Sequence, residues 1–329
     1  MKGRRFLVTG AAGFIGSHLC QKLLALGARV VGLDNFHDFY SPALKRRNLL
    51  ALTSFDHFSF CQADICDARQ LAELLEPHER ALAGASLIHL AARAGVRPSL
   101  LDPVGYVQTN VQGTIHLLEL ARKLNIEHFL LASSSSVYGE SPGEIPFKET
   151  QDISRPISPY ASTKAMAESI VHTYHHLYGL RVAILRFFTV YGARQRPDLA
   201  IHKFTQLIDQ GLPIPVFGDG SAQRDYTFVE DIVDGILRAA RYDTTPFEIF
   251  NLGGSRTVSL SKLIQLIESA LGKKAILFHQ PPQPGDVPVT CADLSKSGRL
   301  LGYQPRTPIE EGIPKFVAWY KESSSGRME

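Results

Sequence analysis

Short, almost unbroken apolar runs alternate with longer stretches of helical apolar spacing through the first half of the chain. Phe6-Leu7-Val8 is the first run, and a helical segment from Phe14 to Leu26, ended by Gly27, follows it. Val30 to Leu33, Phe58 to Phe60, Leu87 to Leu90, Phe129 to Ala132 and Val182 to Arg186 continue the series. A run that is apolar at consecutive rather than alternate positions suits a strand buried on both faces, and helices between such strands make them parallel. Right-handed crossovers then predict an α/β fold of the doubly wound, Rossmann type, with ligands at the carboxyl ends of a parallel sheet.

From about residue 190 the texture changes. Pro213, Pro215, Gly218 and Gly220 break the chain before a helix near Val229 to Ala240 and a strand near Glu248 to Leu252. The tail from about Ser255 is expected to carry another helix, the proline-rich segment 281–288 and a frayed end over 323–329. The predicted organisation is a first domain over 1–187, to which 229–253 return. A smaller, discontinuous C-terminal α/β region would combine 188–228 and 254–329.

Composition narrows the classes of function. The length of 329 residues allows one large or two joined domains with a sizeable core. Net charge is 35 − 32 = +3, too small to imply nucleic acid or a membrane surface as partner. Lys45-Arg46-Arg47 reads as a solvated helix face. Cys20, Cys61, Cys66 and Cys291 show neither C-x-x-C spacing nor disulfide density, which suits a reduced, cytoplasmic interior. The basic start Met1 to Arg5 imitates a signal peptide, but Gly10, Gly13 and Gly16 interrupt the apolar run behind it, and no stretch approaches a membrane span.

Gly10-Ala-Ala-Gly13-Phe14-Ile15-Gly16 follows the first strand and opens the first helix. A turn without side chains lets a pyrophosphate reach backbone N–H groups and the helix N-terminus. Asp34 ends the second strand, 18 residues after Gly16. A carboxylate there accepts from both adenosine-ribose hydroxyls and repels a 2′-phosphate, so NAD is predicted over NADP.

Tyr160 and Lys164 lie four apart, one turn from each other on a helix face, and a serine run stands 26 residues upstream of the tyrosine. An ammonium at that distance favours phenolate, bringing the tyrosine toward working pH as a base for a sugar hydroxyl. Ser158-Pro159 supplies a cap and a first-turn proline, placing Tyr160 at the helix start.

Together the glycine turn, the serine cluster and Tyr160/Lys164 resemble the extended short-chain dehydrogenase/reductase family, specifically its NAD-dependent nucleotide-sugar epimerases, over essentially the whole chain. The resemblance implies an NAD-binding domain over 1–187 and a nucleotide-sugar-binding domain beyond. It implies that Asn35 joins Asp34, that Asp64 and Ile65 lie against adenine, and that Leu90, Ala91 and Ala92 run beneath the cofactor. Asn110 and Ser133 would complete the cofactor site. Tyr160, Lys164 and Ser134 would be catalytic, Ser134 binding the reacting sugar oxygen with Ser135 beside it, and Lys164 also holding the nicotinamide ribose. In Ser133-Ser-Ser-Ser136-Val-Tyr-Gly139 the acids used by the family's dehydratases and uronate decarboxylases are absent.

Thr189, Gln283, Ala94-Gly-Val-Arg97 and Tyr40-Ser-Pro-Ala-Leu-Lys45 are similar to the family's UDP-glucuronate 4-epimerase branch. The implied reaction inverts C4 of a UDP-sugar through a transient 4-keto intermediate. Arg196 matches the arginine that pairs with the sugar carboxylate, with Arg194 as a competing position. Thr189 and Ser136 would share that carboxylate, and Arg224, Arg97 and Asp286 would also contact substrate. A UDP-glucose/UDP-galactose 4-epimerase and a non-catalytic NAD-binding sensor stay open as alternatives. His172-x-x-His175-His176 is read as helix surface rather than a metal site. The family's dimer helices match Pro159 onward and about Pro103 to Leu124, implying a homodimer.

Overall fold

The computed structural model describes residues 1–139, 145–281 and 287–325. Twelve strands follow one another among them: β1 (Arg5–Thr9), β2 (Arg29–Asp34), β3 (Phe58–Gln62), β4 (Ser86–His89), β5 (His128–Ser134), β6 (Arg181–Phe187), β7 (Thr189–Tyr191), β8 (Pro213–Phe217), β9 (Gln223–Phe228), β10 (Phe247–Leu252), β11 (Thr257–Ser259) and β12 (Ile276–Gln280). Seven of them form one parallel sheet in the order β10-β6-β5-β4-β1-β2-β3.

The consecutive apolar residues of each strand serve opposite faces. Val8, Val30, Ile88, Leu130 and Leu185 pack against Leu19 and Leu23 of the helix Phe14–Ala25 and Ile232 and Ile236 of the helix Val229–Ala239. Their neighbours Leu7, Val31, Leu87, Phe129 and Ile184 pack against Leu117 and Ala121 of the helix Gly113–Lys123 and Ala167 and Val171 of the helix Pro159–Tyr178. Each fully buried Leu or Phe contributes about 1.5–3 kcal/mol to these layers. The chain winds outward from β1 to β3 and then crosses back to β4. The carboxyl ends of β1 and β4 therefore border the crevice where such a sheet reverses direction.

A second core lies apart from these layers. Tyr191, Phe204, Ile214, Phe228, Ile267 and Phe316 meet beside the small sheets β11-β9-β7 and β12-β8. The tail differs from the sequence expectation. Leu260–Leu271 is the helix foreseen, but Ser295–Leu301 and Ile309–Ser325 are also helical. Of the stretch 323–329 expected to fray, 323–325 belong to the last helix and 326–329 lie outside the described residues. Ile313, Phe316, Val317 and Tyr320, spaced as one helix face, bury into the second core and hold this end down. The stretch expected as one helix from Pro103 is interrupted by a π-helical turn over Gln108–Gln112, before the helix Gly113–Lys123.

Among the described residues no helix is long and apolar enough to cross a membrane, and no three His, Cys, Asp or Glu side chains gather as metal ligands. All four cysteines are free. His172 packs edge-on against Phe247, and His175 shares a hydrogen bond of 2.8 Å with the Leu180 carbonyl.

Candidate active site

A cleft of about 450 Å³ opens at the carboxyl ends of β1, β2, β4 and β5. Its floor begins with the glycine turn. Gly10 takes φ +71°, which favours glycine, and a Cβ there would stand 3.0 Å from the Ala91 nitrogen. A Cβ on Gly16 would overlap the Gly10 carbonyl oxygen, so the turn closes only without one. The helix that follows has Gly13 as its cap residue and no side-chain cap. Its first-turn N–H groups are therefore left for an anion, and the residues fit a dinucleotide diphosphate. Phe14, Ile15, Leu90, Ala91, Ala92 and Ile65 add apolar walls.

Asp34 faces the same cleft from the end of β2. Its carboxylate accepts from the Ala12 N–H at 3.2 Å and the Phe36 N–H at 2.9 Å. Asn35 donates to Asp64 at 2.9 Å. Burial works to raise the Asp64 pKa, but the Cys66 N–H and the Asn35 amide outweigh it and hold the carboxyl below its ordinary value. Lys45 is not the solvated residue its sequence setting suggests. It is 7% exposed, donates to the His37 carbonyl at 2.9 Å and sits 3.8 Å from Asp34. Its long stem folds inward because Asp34 and the His37 carbonyl offer the ammonium partners there.

The end of β4 is fixed by a relay absent from the sequence reading. Thr114 donates to the Asn110 carbonyl at 2.6 Å, so its oxygen is free to accept from His89 Nε2 at 3.0 Å. His89 is then neutral with Nδ1 as acceptor, taking a hydrogen bond from Thr9 at 2.8 Å. Burial, helped by the Lys164 charge, lowers its pKa to about 3, in keeping with that neutral ring. The Thr9 oxygen in turn accepts from the Leu90 and Ala91 N–H groups at 3.2 and 3.1 Å. Asn110 sits in the π-helical turn but does not line the cleft. It grips the Arg93 backbone on both sides, at 2.8 and 2.9 Å, and donates to Thr163 at 3.0 Å.

Ser158 caps the helix Pro159–Tyr178 by accepting from the Ala161 N–H at 3.1 Å, which puts Tyr160 in its first turn. The Tyr160 ring meets Tyr106 edge-to-face at 6.1 Å. Ser134 accepts from the Ser136 N–H at 3.2 Å and the Ser136 hydroxyl at 2.9 Å. Both of its lone pairs are then used, and its own proton is left to donate toward Tyr160. That donation and the Arg196 charge lower the Tyr160 pKa, but burial is larger and raises it. Lys164 Nζ, one helical turn on, donates to the Ala132 carbonyl at 2.8 Å. Burial brings Lys164 down to about 8, against the opposing pull of Glu168.

The Ser133 hydroxyl donates to Glu168 at 2.5 Å, while the residue itself lines the cleft. Glu168 pairs with Arg186, a guanidinium buried in β6, and Arg186 in turn donates to Tyr138 at 3.1 Å. The signal existed: Arg186 interrupts a run otherwise apolar, and a charge in a strand buried on both faces needs a partner.

Thr189, Ser135, Ser136 and Arg196 line the cleft opposite the glycine turn. Arg196 is held by Asp198 at 3.0 and 2.8 Å and stands over the Phe39 ring at 5.1 Å. Arg194 goes elsewhere, donating to Gln21 of the first helix at 2.8 Å. Arg97 and Arg224 are not in the cleft wall. Arg97 lies over the Phe217 ring at 4.3 Å, and Arg224 donates to the Gln223 and Pro288 carbonyls at 2.9 and 3.3 Å. Gln283 and Asp286 lie outside the described residues. His37, Tyr40, Lys45 and Arg93 line the cleft without having been foreseen.

Known proteins share this architecture. The family model described as the NAD dependent epimerase/dehydratase family matches residues 6–253. A UDP-glucuronate 4-epimerase of Thermodesulfobacterium geofontis is 42% identical over 320 residues, covering 97% of this chain and 96% of that protein. The crystal structure of UDP-glucuronic acid 4-epimerase from Bacillus cereus in complex with UDP-glucuronic acid and NAD superposes with a TM-score of 0.89 at 36% identity, over 97% of this chain and 99% of that one. A UDP-glucose 4-epimerase of Thermotoga maritima, solved with UDP-glucose, gives 0.88 at 32% identity, again over 97% and 99% of the two chains. With the glycine turn, the capped tyrosine helix and the sheet order all in place, the chain belongs to the NAD-dependent epimerase/dehydratase family.

Proposed function

We propose that this protein is an NAD-dependent 4-epimerase of a UDP-sugar, interconverting UDP-glucuronate and UDP-galacturonate. The observation that carries the reading is the meeting of Ser134 and Tyr160 in one cleft with the Arg196 guanidinium, whose charge Tyr160 feels. The relatives acting on UDP-glucuronate, at up to 42% identity over nearly the whole chain, support it.

When bound, NAD supplies a two-electron acceptor that is regenerated within each cycle. Asp34, Asn35 and Asp64 would hold its adenosine end, the first-turn N–H groups its diphosphate, and Lys164 its nicotinamide ribose. Tyr160 takes the proton of the sugar 4-hydroxyl and later returns it, while the Ser134 hydroxyl, aimed at Tyr160 in the free protein, turns its proton to the reacting oxygen once substrate binds. Lys164, anchored to the Ala132 carbonyl, keeps a positive charge beside that transfer. A uronic acid oxidised at C4 is a β-keto acid, prone to lose CO₂. Thr189, Ser136 and Arg196 would hold its carboxylate in the plane that disfavours breaking the C5–C6 bond.

The second core, built from residues of 188–228 and 254–329, supports a division into a cofactor domain of 1–187 with 229–253 and a sugar-nucleotide domain of 188–228 and 254–329. Leu101, Val104 and Val107, exposed by 90, 66 and 43%, and Met166, Leu177 and Tyr178 on the helix Pro159–Tyr178 form apolar surface that supports a homodimer through these helices. Free cysteines suit a cytoplasmic setting.

The Thermotoga maritima structure favours a second reading, a UDP-glucose/UDP-galactose 4-epimerase on the same catalytic set. One assay decides: purified protein without added NAD is offered UDP-glucuronate and UDP-glucose separately, and products are resolved by NMR. UDP-galacturonate alone is the expected product. UDP-galactose alone would overturn the substrate, and a pentose product would indicate decarboxylation. Tyr160→Phe should lower turnover by about 10²–10⁴ while leaving nucleotide binding intact.

A further inference from the structure

We propose that Arg93 binds the diphosphate of the dinucleotide cofactor, completing from above the anion site that the glycine turn forms from below. The inference deepens the reading of this cleft as an NAD site and rests on it.

The placement comes from sheet order. His37 follows β2 and Arg93 follows β4, the two strands flanking β1, and both side chains line the cleft. Arg93 Nη2 approaches His37 Nε2 at 3.0 Å. The contact thus spans the crevice over the turn that ends β1. A dinucleotide crosses a doubly wound sheet at that point, its diphosphate resting on the helix N-terminus.

The guanidinium is under-satisfied there. Its Nε is buried and has no hydrogen-bond partner. The Nη2 contact is compromised as well, because the Phe39 N–H points at Nδ1 of the same imidazole at 3.0 Å. A neutral imidazole has one lone pair and a protonated one has none. His37 can therefore serve Phe39 or Arg93 but not both. Only Nη1 has a full partner, the carboxylate of Asp102. That side chain is 53% exposed, and a pair so wetted is worth little by itself. Meanwhile Asn110 pins the Arg93 backbone on both sides. A fixed base carrying a planar fork with two wanting N–H edges suits two phosphate oxygens.

Two diphosphates enter this protein under the proposed function, that of the cofactor and that of the nucleotide sugar. Adenosine, ADP and UDP separate them. Each is titrated calorimetrically into wild-type protein, Arg93→Met and Arg93→Lys after bound nucleotide has been exchanged out. Arg93→Met is expected to weaken ADP roughly ten- to hundredfold, the loss of a charge-assisted contact, with adenosine and UDP unchanged. Arg93→Lys should recover part of the ADP affinity, and NAD released from the purified Met variant should fall in parallel. Equal loss of adenosine and ADP would mean that Arg93 only shapes the loop, and loss confined to UDP would assign it to the sugar nucleotide. Either result, or unchanged ADP binding, overturns the proposal. Wild-type protein that binds no ADP would sink the NAD reading itself.

Discussion

Glu168 holds Arg186 by two parallel hydrogen bonds, Oε1 accepting from Nε at 3.0 Å and Oε2 from Nη2 at 2.7 Å, with the two side chains 4% and 2% exposed. The same carboxylate accepts from Ser133 and faces Lys164 one helical turn away. It ties the helix Pro159–Tyr178 to β5 and β6, so the positions of Ser134 and Lys164 depend on it.

Removing one partner of such a pair strands the other charge in the core. Glu168→Ala is expected to cost about 3–5 kcal/mol in denaturant unfolding. The double change Glu168→Leu with Arg186→Met should recover most of that loss, since no charge is then left unpaired. A single variant as stable as wild type would show that water reaches Arg186.

Arg194 and Arg196 lie two residues apart, yet one reaches the first helix and the other the cleft. Arg196→Gln should lower kcat/KM for UDP-glucuronate by roughly ten- to hundredfold, the worth of a charged hydrogen bond, and leave the binding of UDP, which has no such carboxylate, unchanged. Arg194→Gln should change neither. Steady-state kinetics on UDP-glucuronate and calorimetric titration of UDP with both variants check the assignment, and an unchanged kcat/KM in Arg196→Gln would remove Arg196 from carboxylate binding.

Acid should destabilise the fold through histidines that stay neutral inside it. Burial lowers His89 to about 3 and, with the charges of Arg181 and Arg4, lowers His128 to about 4. The unfolded chain binds these protons near pH 6.5, before the folded one does. Stability is therefore complete above about pH 6.5 and falls as the pH drops toward 3–4, by about 2 kcal/mol per histidine at pH 5. Urea unfolding at pH 7.5 and pH 5 measures the fall, and His128→Phe should remove its share.

Gly16→Ala puts a methyl group onto the Gly10 carbonyl oxygen. The turn must open, and its N–H groups lose their aim. The variant should be purified with little or no NAD and should unfold at a lower temperature. Full NAD content after acid release and chromatography would mean that the turn yields without loss of the site.

The sheet was legible because period and composition are local. Strands buried on both faces read as continuous apolar runs, and Gly10 to Gly16, Asp34 and Ser158-Pro159 each state a backbone requirement within a few residues. Lys45 and the tail were misread for the opposite reason, and the partner of Ser133 was not legible. Lys45 turns inward only because Asp34 and the His37 carbonyl, distant in sequence, lie within reach. Ser133 is claimed by Glu168, 35 residues on. The last helix persists through Ser325 because a core made by other segments receives its apolar face.

By itself, then, the sequence determined the layered α/β fold, the glycine turn and the capped start of the Tyr160 helix, all of which rest on short-range geometry. Tertiary structure alone decided which arginine enters the cleft, which serine has a proton to direct at Tyr160, and how Tyr160 is tuned. Those outcomes depend on which charges and hydrogen-bond partners burial brings together, and burial is a property of the whole fold.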